Sequence, residues 1–199
     1  MTIELFPTPI SNYQTDLNVD EIANYLRSLE WNTSYNVNGG DQTKNNTLQN
    51  DPFFSTLTMD ILEAVNMHCD VVGFKKQQFK ITQMWGNRYE RDCNIHIHSH
   101  SNSFVSGVFN VKGTQEDCTI FINPLNTREY INVSKKENLN NYLIQHYRNI
   151  VPQGTITIFP SWLEHTSSPS ADNERFTISF NVLPLTLGEP EALNYVKLW

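Results

Sequence analysis

Three of the six histidines stand at alternate positions in one short stretch, Asn94-Ile95-His96-Ile97-His98-Ser99-His100. In an extended strand, residues two apart share a face. His96, His98 and His100 then form a ladder, with Ile95 and Ile97 on the opposite side. Imidazole is the commonest metal-ligating side chain, and two at this spacing bind one ion where a strand end twists. The plainer alternative is a polar strand face of solvated histidines. A further candidate is His165, which closes Phe159-Pro160-Ser161-Trp162-Leu163-Glu164-His165 just past one strand and shortly before another. Ten residues on stands Arg175, with Thr177 two beyond it. Taken singly, His165 reads as a loop histidine, and Arg175 as a surface arginine after Asp172-Asn173-Glu174. The ordered set His-x-His, a Gly-bearing strand, Phe-Pro-x-x-x-x-His and Arg-x-Thr is far more specific than any of its members.

That order has a chemical logic. An iron(II) site that activates O₂ needs three protein ligands on one octahedral face, with positions left open for cosubstrate and O₂. A dicarboxylate that chelates the metal at one end needs its far carboxylate fixed. A guanidinium does this with two parallel charge-assisted hydrogen bonds. A hydroxyl two residues along the same strand points the same way. Protonated imidazole does not ligate metal, so iron binding is expected to weaken as pH falls through the ordinary histidine range near 6.5.

The elements that must position these groups follow from hydrophobic spacing. Glu4 to Ile10 reads as an extended edge piece limited by Pro7 and Pro9. Asn18, three residues before Glu21, caps a helix over Val19 to Trp31 with Ile22, Tyr25, Leu26 and Leu29 on its apolar face. Residues 32–50 are polar and read as a long surface loop in the position of a lid. A second helix runs from about Phe54 to Cys69, with His68 near its C-terminus, where a cation suits the dipole; His68 is read as structural. From Phe79 the pattern becomes strand-like, with Trp85 and Phe109 read as core. A Gly86-Asn87 turn and a charged loop, Arg88 to Asp92, lead into the histidine strand. Further strands are expected at Phe104–Val111, Cys118–Ile122, Thr155–Phe159 and Arg175–Val182. Asn123 to Asn141 is a second polar insertion, ending in a helical or extended piece, Tyr142 to Ile150. A short helix is expected in the tail after Gly188. Two helices followed by seven or eight short strands describe one mainly β domain over 1–199, with a helical N-terminal part to about 75 and a barrel over about 76–185.

Composition narrows the function classes. The chain has 199 residues, 39% hydrophobic and 18% charged, with a net charge of -7. The acidic balance argues against a surface built to neutralise phosphates, so nucleic acid is not an expected partner. No apolar run is long enough to span a bilayer, and the start lacks the features of a signal peptide. Three scattered cysteines without a CxxC fit a reducing cytoplasm, or a host's cytoplasm if a phage encodes the protein.

The chain resembles the Fe(II)/2-oxoglutarate-dependent oxygenase superfamily, and within it a group found in phages and marine bacteria. The residues that carry the likeness are Trp85, His98-Ser99-His100, Ser106-Gly107-Val108-Phe109, Pro152-x-Gly154, Phe159-Pro160-Ser161-Trp162-x-x-His165 and Arg175-x-Thr177-x-Ser179-Phe180-Asn181. The opening Leu5-Phe6-Pro7-Thr8-Pro9-Ile10 is similar too. The resemblance implies a double-stranded β-helix, the jelly roll or cupin-like barrel, with Fe(II) and 2-oxoglutarate as cofactors. His98 would lie at the second barrel strand, His165 at the seventh, and Arg175 would open the eighth. It implies metal ligation by His98, His100 and His165, and cosubstrate binding by Arg175, Thr177 and Asn110. Asn102, Trp162 and Asn181 would line the substrate pocket, with no catalytic residue beyond the ligands. The reaction implied consumes O₂ and 2-oxoglutarate, releases succinate and CO₂, and hydroxylates a protein side chain or small metabolite.

Two positions depart from the superfamily. Its usual first motif is His-x-Asp or His-x-Glu, whereas His100 stands at the third place. Either iron has three histidine ligands, or His96 and His98 form the pair, or the site is completed otherwise; Glu164 is the weaker substitute because neighbours in an extended segment diverge. Asn110 stands where many relatives carry a tyrosine. Two rival readings remain at this level: a cupin-type metal protein that does not use 2-oxoglutarate, and a non-catalytic jelly-roll binding protein. Arg175-x-Thr177 favours the oxygenase, because a cupin has no special need for it. The sequence leaves a homodimer open.

Overall fold

The computed structural model describes residues 6–33, 40–125, 137, 144–191 and 194–199. Among them, seven strands form one antiparallel sheet in the order β1 (Ser11–Gln14), β8 (Thr155–Pro160), β5 (Val105–Lys112), β10 (Arg175–Pro184), β4 (Phe79–Tyr89), β3 (Gly40–Thr43) and β2 (Trp31–Asn32). A second sheet has the order β7 (His146–Asn149), β6 (Thr119–Ile122) and β9 (His165–Ser167). The extended segment at His98 bridges antiparallel to His165 and so continues the second sheet past β9. From β4 onward the chain therefore passes back and forth between the sheets as a double-stranded β-helix does, with β6 and β7 consecutive in the small one. β4, β5, β8 and β10 lie in the large sheet; the His98 segment, β6, β7 and β9 lie in the small one.

The period-2 pattern of β10 explains the layering. Phe176, Ile178, Phe180 and Val182 are fully buried against the helices α1 (Val19–Ser28) and α2 (Ser55–Val72), which supply Ile22, Leu26, Leu57, Ile61 and Val65 to the same core. The alternate residues Arg175, Thr177, Ser179 and Asn181 face the barrel interior and line its cavity. A smaller apolar cluster, Phe121, Phe159 and Leu163 with Ile10 and Val108, packs between the sheets. No helix among the described residues is long and apolar enough to cross a membrane.

α1 starts as its sequence requires, with the Asn18 side chain accepting the Glu21 amide at 3.3 Å. Several other expectations are revised. Gly86-Asn87 is not a turn, because β4 runs through it to Tyr89. Gly86 is there for close packing: a Cβ would come within 3.0 Å of Thr43, 3.1 Å of Leu26 and 3.3 Å of Trp31. Residues 32–50 are not all loop, since β2 and β3 extend the large sheet there; 34–39 lie outside the described residues. The first sheet strand is Ser11–Gln14, after the two prolines rather than across them. The piece before Ile150 is extended, as β7. In the tail, β11 (Thr186–Leu187) and β12 (Val196–Lys197) pair, and no helix falls among the described residues after Gly188. His68 is structural: it is buried and bonded to Ser11 Oγ at 2.8 Å, and burial lowers its pKa, which disfavours the charged form that would suit the dipole.

Candidate active site

The histidine segment is not a regular strand; it holds its place through individual bonds to β9. His98 N donates to His165 O at 3.0 Å and His165 N donates to His98 O at 2.9 Å. Two residues that exchange both bonds stand directly opposed, with side chains on one face. His100, two residues on, shares that face, and its amide donates to Ser161 O at 2.9 Å. Upstream, Ile95 N donates to Ser167 Oγ, and Thr166 Oγ1 donates to Ile95 O.

This register gathers His98, His100 and His165, whose ligating nitrogens all lie within 4.8 Å of one another. Nitrogens around one ion at about 2.1 Å sit about 3 Å apart in cis positions, so small side-chain rotations complete the set. Two of the rings are already turned for it. His98 Nδ1 bonds His96 O at 2.9 Å and His165 Nδ1 bonds Leu163 O at 2.8 Å, which leaves each Nε2 as the free lone pair. Burial, followed by the proximity of His98, pushes His165 down to about 3 and His100 to about 4; His98 is also lowered by burial. The His165 and His100 rings are therefore neutral well below pH 6.5, and the expected loss of iron binding through the ordinary histidine range moves to lower pH for these two. His96 is exposed at the rim and lies outside the ligating group, though its carbonyl orients His98. Glu164 is exposed. No carboxylate belongs to the ligating group among the described residues.

The histidines open into a cavity of about 330 Å³. One wall is a run of cross-strand pairs between β10 and β4: Arg175 opposite Tyr89, Thr177 opposite Asn87, Ser179 opposite Trp85, and Asn181 opposite Gln83. Asn87 Nδ2 donates to Thr177 Oγ1 at 3.2 Å and to Ser179 Oγ at 2.9 Å, and its Oδ1 accepts from Trp85 Nε1 at 3.1 Å. Arg175 is 3% exposed. Its Nη1 donates to Ser168 O at 3.2 Å and lies 3.8 Å from Asp117 Oδ1, and its guanidinium stands 5.2 Å from the Tyr89 ring centre. Arg175 Nε is buried without a hydrogen-bond partner among the described residues. Tyr89 is buried and lines the cavity together with Thr177 and Ser167, and burial raises its pKa. Arg175, Tyr89 and Thr177 thus present a buried cation with a free donor, a phenol and a hydroxyl, which fits the far carboxylate of a dicarboxylate.

The remaining candidates fall in different places. Asn181 lines the cavity. Asn110 does not: its Nδ2 donates to Val151 O and Pro152 O, and it faces a small separate void behind Arg175. Asn102 is an exposed left-handed turn residue, φ 56°, and Trp162 is 57% exposed; neither lines the cavity. Phe109 is core, but Trp85 is a cavity wall, stacked on His100 with ring centres 5.9 Å apart. Tyr89, Asn87, Gln83 and Gln42 were missed because the turn assigned at Gly86-Asn87 and the loop assigned to 32–50 hid their strands. Reading alternation through Gly86 puts Gln83, Trp85, Asn87 and Tyr89 on one face.

Residues 83–181 match the family described as "Putative 2OG-Fe(II) oxygenase". Among solved structures, the chain is similar to HygX from Streptomyces hygroscopicus with nickel and 2-oxoglutarate bound. That match has a TM-score of 0.63 at 13% identity and covers 89% of this chain and 83% of that one. It is also similar to the non-heme alpha-ketoglutarate-dependent epimerase SnoN from nogalamycin biosynthesis, with a TM-score of 0.65 at 12% identity over 90% and 80% of the two chains. A Pseudomonas putida prolyl-4-hydroxylase gives a TM-score of 0.57 at 13% identity over 88% and 92%. No curated protein matches the chain by sequence.

Proposed function

We propose, because this chain belongs to the Fe(II)/2-oxoglutarate-dependent oxygenase superfamily, that it is a 2-oxoglutarate-dependent dioxygenase whose iron is held by His98, His100 and His165. The single observation that carries this reading is one cavity that holds both a preorganised histidine triad and a buried arginine with a free donor. With both cofactors bound, the iron supplies oxidative decarboxylation of 2-oxoglutarate by O₂ to succinate and CO₂, with one oxygen atom passed to the substrate.

The chain's own residues bind and orient. Arg175 Nε, Tyr89 and Thr177 take the far carboxylate, and Asn87 holds the Thr177 hydroxyl in place. Asn110 takes no part, since its amide is bonded elsewhere. A cupin that does not use 2-oxoglutarate would leave the buried Arg175 Nε donor without a partner. Among the described lining residues, Arg175 is the only side chain with a permanent charge. With it engaged by cosubstrate, Gln42, Gln83, Ser101 and Trp85 offer amides, a hydroxyl and an aromatic face. They fit an uncharged, hydrogen-bonding group on a protein side chain or a small metabolite.

Substrate-free turnover tests the reading. Protein with Fe(II), ascorbate and 2-oxoglutarate in air is expected to form succinate slowly, and His165→Ala to form none. Iron-loaded protein that neither binds nor consumes 2-oxoglutarate would overturn it.

A further inference from the structure

One buried amide backs the polar wall of the cavity. Asn87 is 1% exposed and stands behind the hydroxyls of β10 rather than among the lining residues. Its side chain makes four hydrogen bonds, the full capacity of a primary amide. Trp85 Nε1 donates to Asn87 Oδ1 at 3.1 Å, and Gln42 Nε2 donates to the same oxygen at 3.4 Å. Asn87 Nδ2 donates to Thr177 Oγ1 at 3.2 Å and to Ser179 Oγ at 2.9 Å. Strand register sets this arrangement, because Asn87 lies opposite Thr177 on β10 and opposite Gln42 on β3.

Chemistry fixes the direction of each bond. An indole N–H only donates, so the Asn87 atom that it meets is the oxygen. The other end is the NH₂ group, which gives one hydrogen to each hydroxyl. Turning the amide over would set N–H against N–H at Trp85. A hydroxyl has a single proton. Neither Thr177 nor Ser179 can direct that proton at Asn87, so each turns it elsewhere. Ser179 lines the cavity, and its proton therefore faces whatever fills the cavity. Its place along the wall is distinct from that of Thr177. Arg175 and Thr177 share one end, whereas Ser179 lies two residues further on, opposite Trp85, whose ring stacks on His100. Ser179 thus stands between the site for the far carboxylate and the histidines.

We propose that Ser179 is a further cosubstrate-binding residue, donating to the keto-acid end of 2-oxoglutarate, and that Asn87 is the positioning residue that makes it a donor. This rests on the oxygenase reading of the cavity, and it gives Asn87 a role beyond holding Thr177. Both ends of the cosubstrate accept hydrogen bonds and neither donates. A wall whose hydroxyl protons are already turned inward is preset for such a molecule.

Anaerobic titration of the iron(II)-loaded full chain with 2-oxoglutarate, read by its visible charge-transfer band, tests both parts. Ser179→Ala is expected to bind 2-oxoglutarate about 10–100-fold more weakly, with iron(II) affinity unchanged. Asn87→Asp keeps the shape and the acceptor for Trp85 but replaces the NH₂ by an oxygen, so both hydroxyls turn their protons to it. Its loss of 2-oxoglutarate affinity is expected to exceed that of Ser179→Ala. The double variant decides the positioning role. On the Asn87→Asp background, Ser179→Ala is expected to change affinity by less than about twofold, because that proton has already been withdrawn. Charge repulsion alone would leave the cost of Ser179→Ala at its full size. Wild-type affinity in Ser179→Ala, or full additivity in the double variant, would overturn the proposal. Should Asn87→Asp fail to fold, Trp85→Phe removes the donor that orients the amide and replaces it in the cycle, where additivity again overturns the proposal. No band in the wild type would instead overturn the oxygenase reading, which is a separate failure.

Discussion

Replacing Arg175 with methionine is expected to cost the metal-free protein about 3 kcal/mol of stability, independent of any cosubstrate. Arg175 and Asp117 are both buried, 3.8 Å apart, and joined by charge rather than a direct hydrogen bond. At an effective dielectric near 20, two unit charges at that distance attract by about 4 kcal/mol. The methionine removes this attraction and strands a buried carboxylate, a change that typically costs about 3–5 kcal/mol. Asp117 keeps three other donors: Thr114 N at 2.7 Å, Thr114 Oγ1 at 3.1 Å and Ala171 N at 3.1 Å. They place the loss at the lower end of that range. The double variant Asp117→Asn/Arg175→Met buries no charge and is expected to recover at least about 1 kcal/mol. Urea unfolding at neutral pH, read as a change in midpoint at constant slope, measures both. Arg175→Met within about 0.5 kcal/mol of wild type, or a double variant no more stable than the single, would refute the buried-pair reasoning. Arg175→Lys keeps the charge beside Asp117 but lacks the planar fork. It is expected to fold and to bind 2-oxoglutarate at least about tenfold more weakly.

Two further outcomes follow from other parts of the fold. Gly107→Ala would place a Cβ 2.3 Å from Phe180 Cζ and 2.5 Å from the Thr157 carbonyl, and neither can yield, since Phe180 is fully buried and Thr157 is in the ladder. A loss of about 3 kcal/mol is expected in a thermal melt, and an unchanged midpoint would contradict the packing. The second outcome concerns pH. His165 and His100 titrate at about 3 and 4 in the fold, against about 6.5 unfolded, so between these values the unfolded chain binds more protons. Stability of the metal-free protein therefore falls as pH drops from about 6.5, by about 2 kcal/mol at pH 5 for His165 alone. His165→Ala is expected to flatten that slope, and unfolding midpoints at several pH values would reveal an unchanged one.

Much of the site was legible because it is written in alternation. His98 and His100 share a face by period, and Arg175, Thr177 and Asn181 do so along β10. What was hidden is equally specific. Gly86-Asn87 has turn-like composition, but the glycine answers to Leu26, Thr43 and Trp31 pressing on β4, and no local signal shows that pressure. Misreading it cut the strand before Tyr89 and removed the phenol from the Arg175 end of the cavity. β3 is polar along its length although it lies between β4 and β2 with Gly40 and Thr43 buried, so hydrophobic spacing could not reveal Gln42. The side-chain contacts of Asn110, Trp162 and Asn102 depend on loop paths, which periodicity does not describe. The opposition of His98 and His165 is a long-range pairing, and only the assembled small sheet brings it about.

The most direct test of an iron and 2-oxoglutarate site is an anaerobic titration of the purified protein with Fe(II) and then 2-oxoglutarate, followed through the visible metal-to-ligand charge-transfer band. A band is expected in the wild type at one equivalent of each. It should be lost in His98→Ala and His165→Ala, and Arg175→Lys should need more cosubstrate to reach it. Iron bound without the band, or a band that survives His165→Ala, would contradict the assignment.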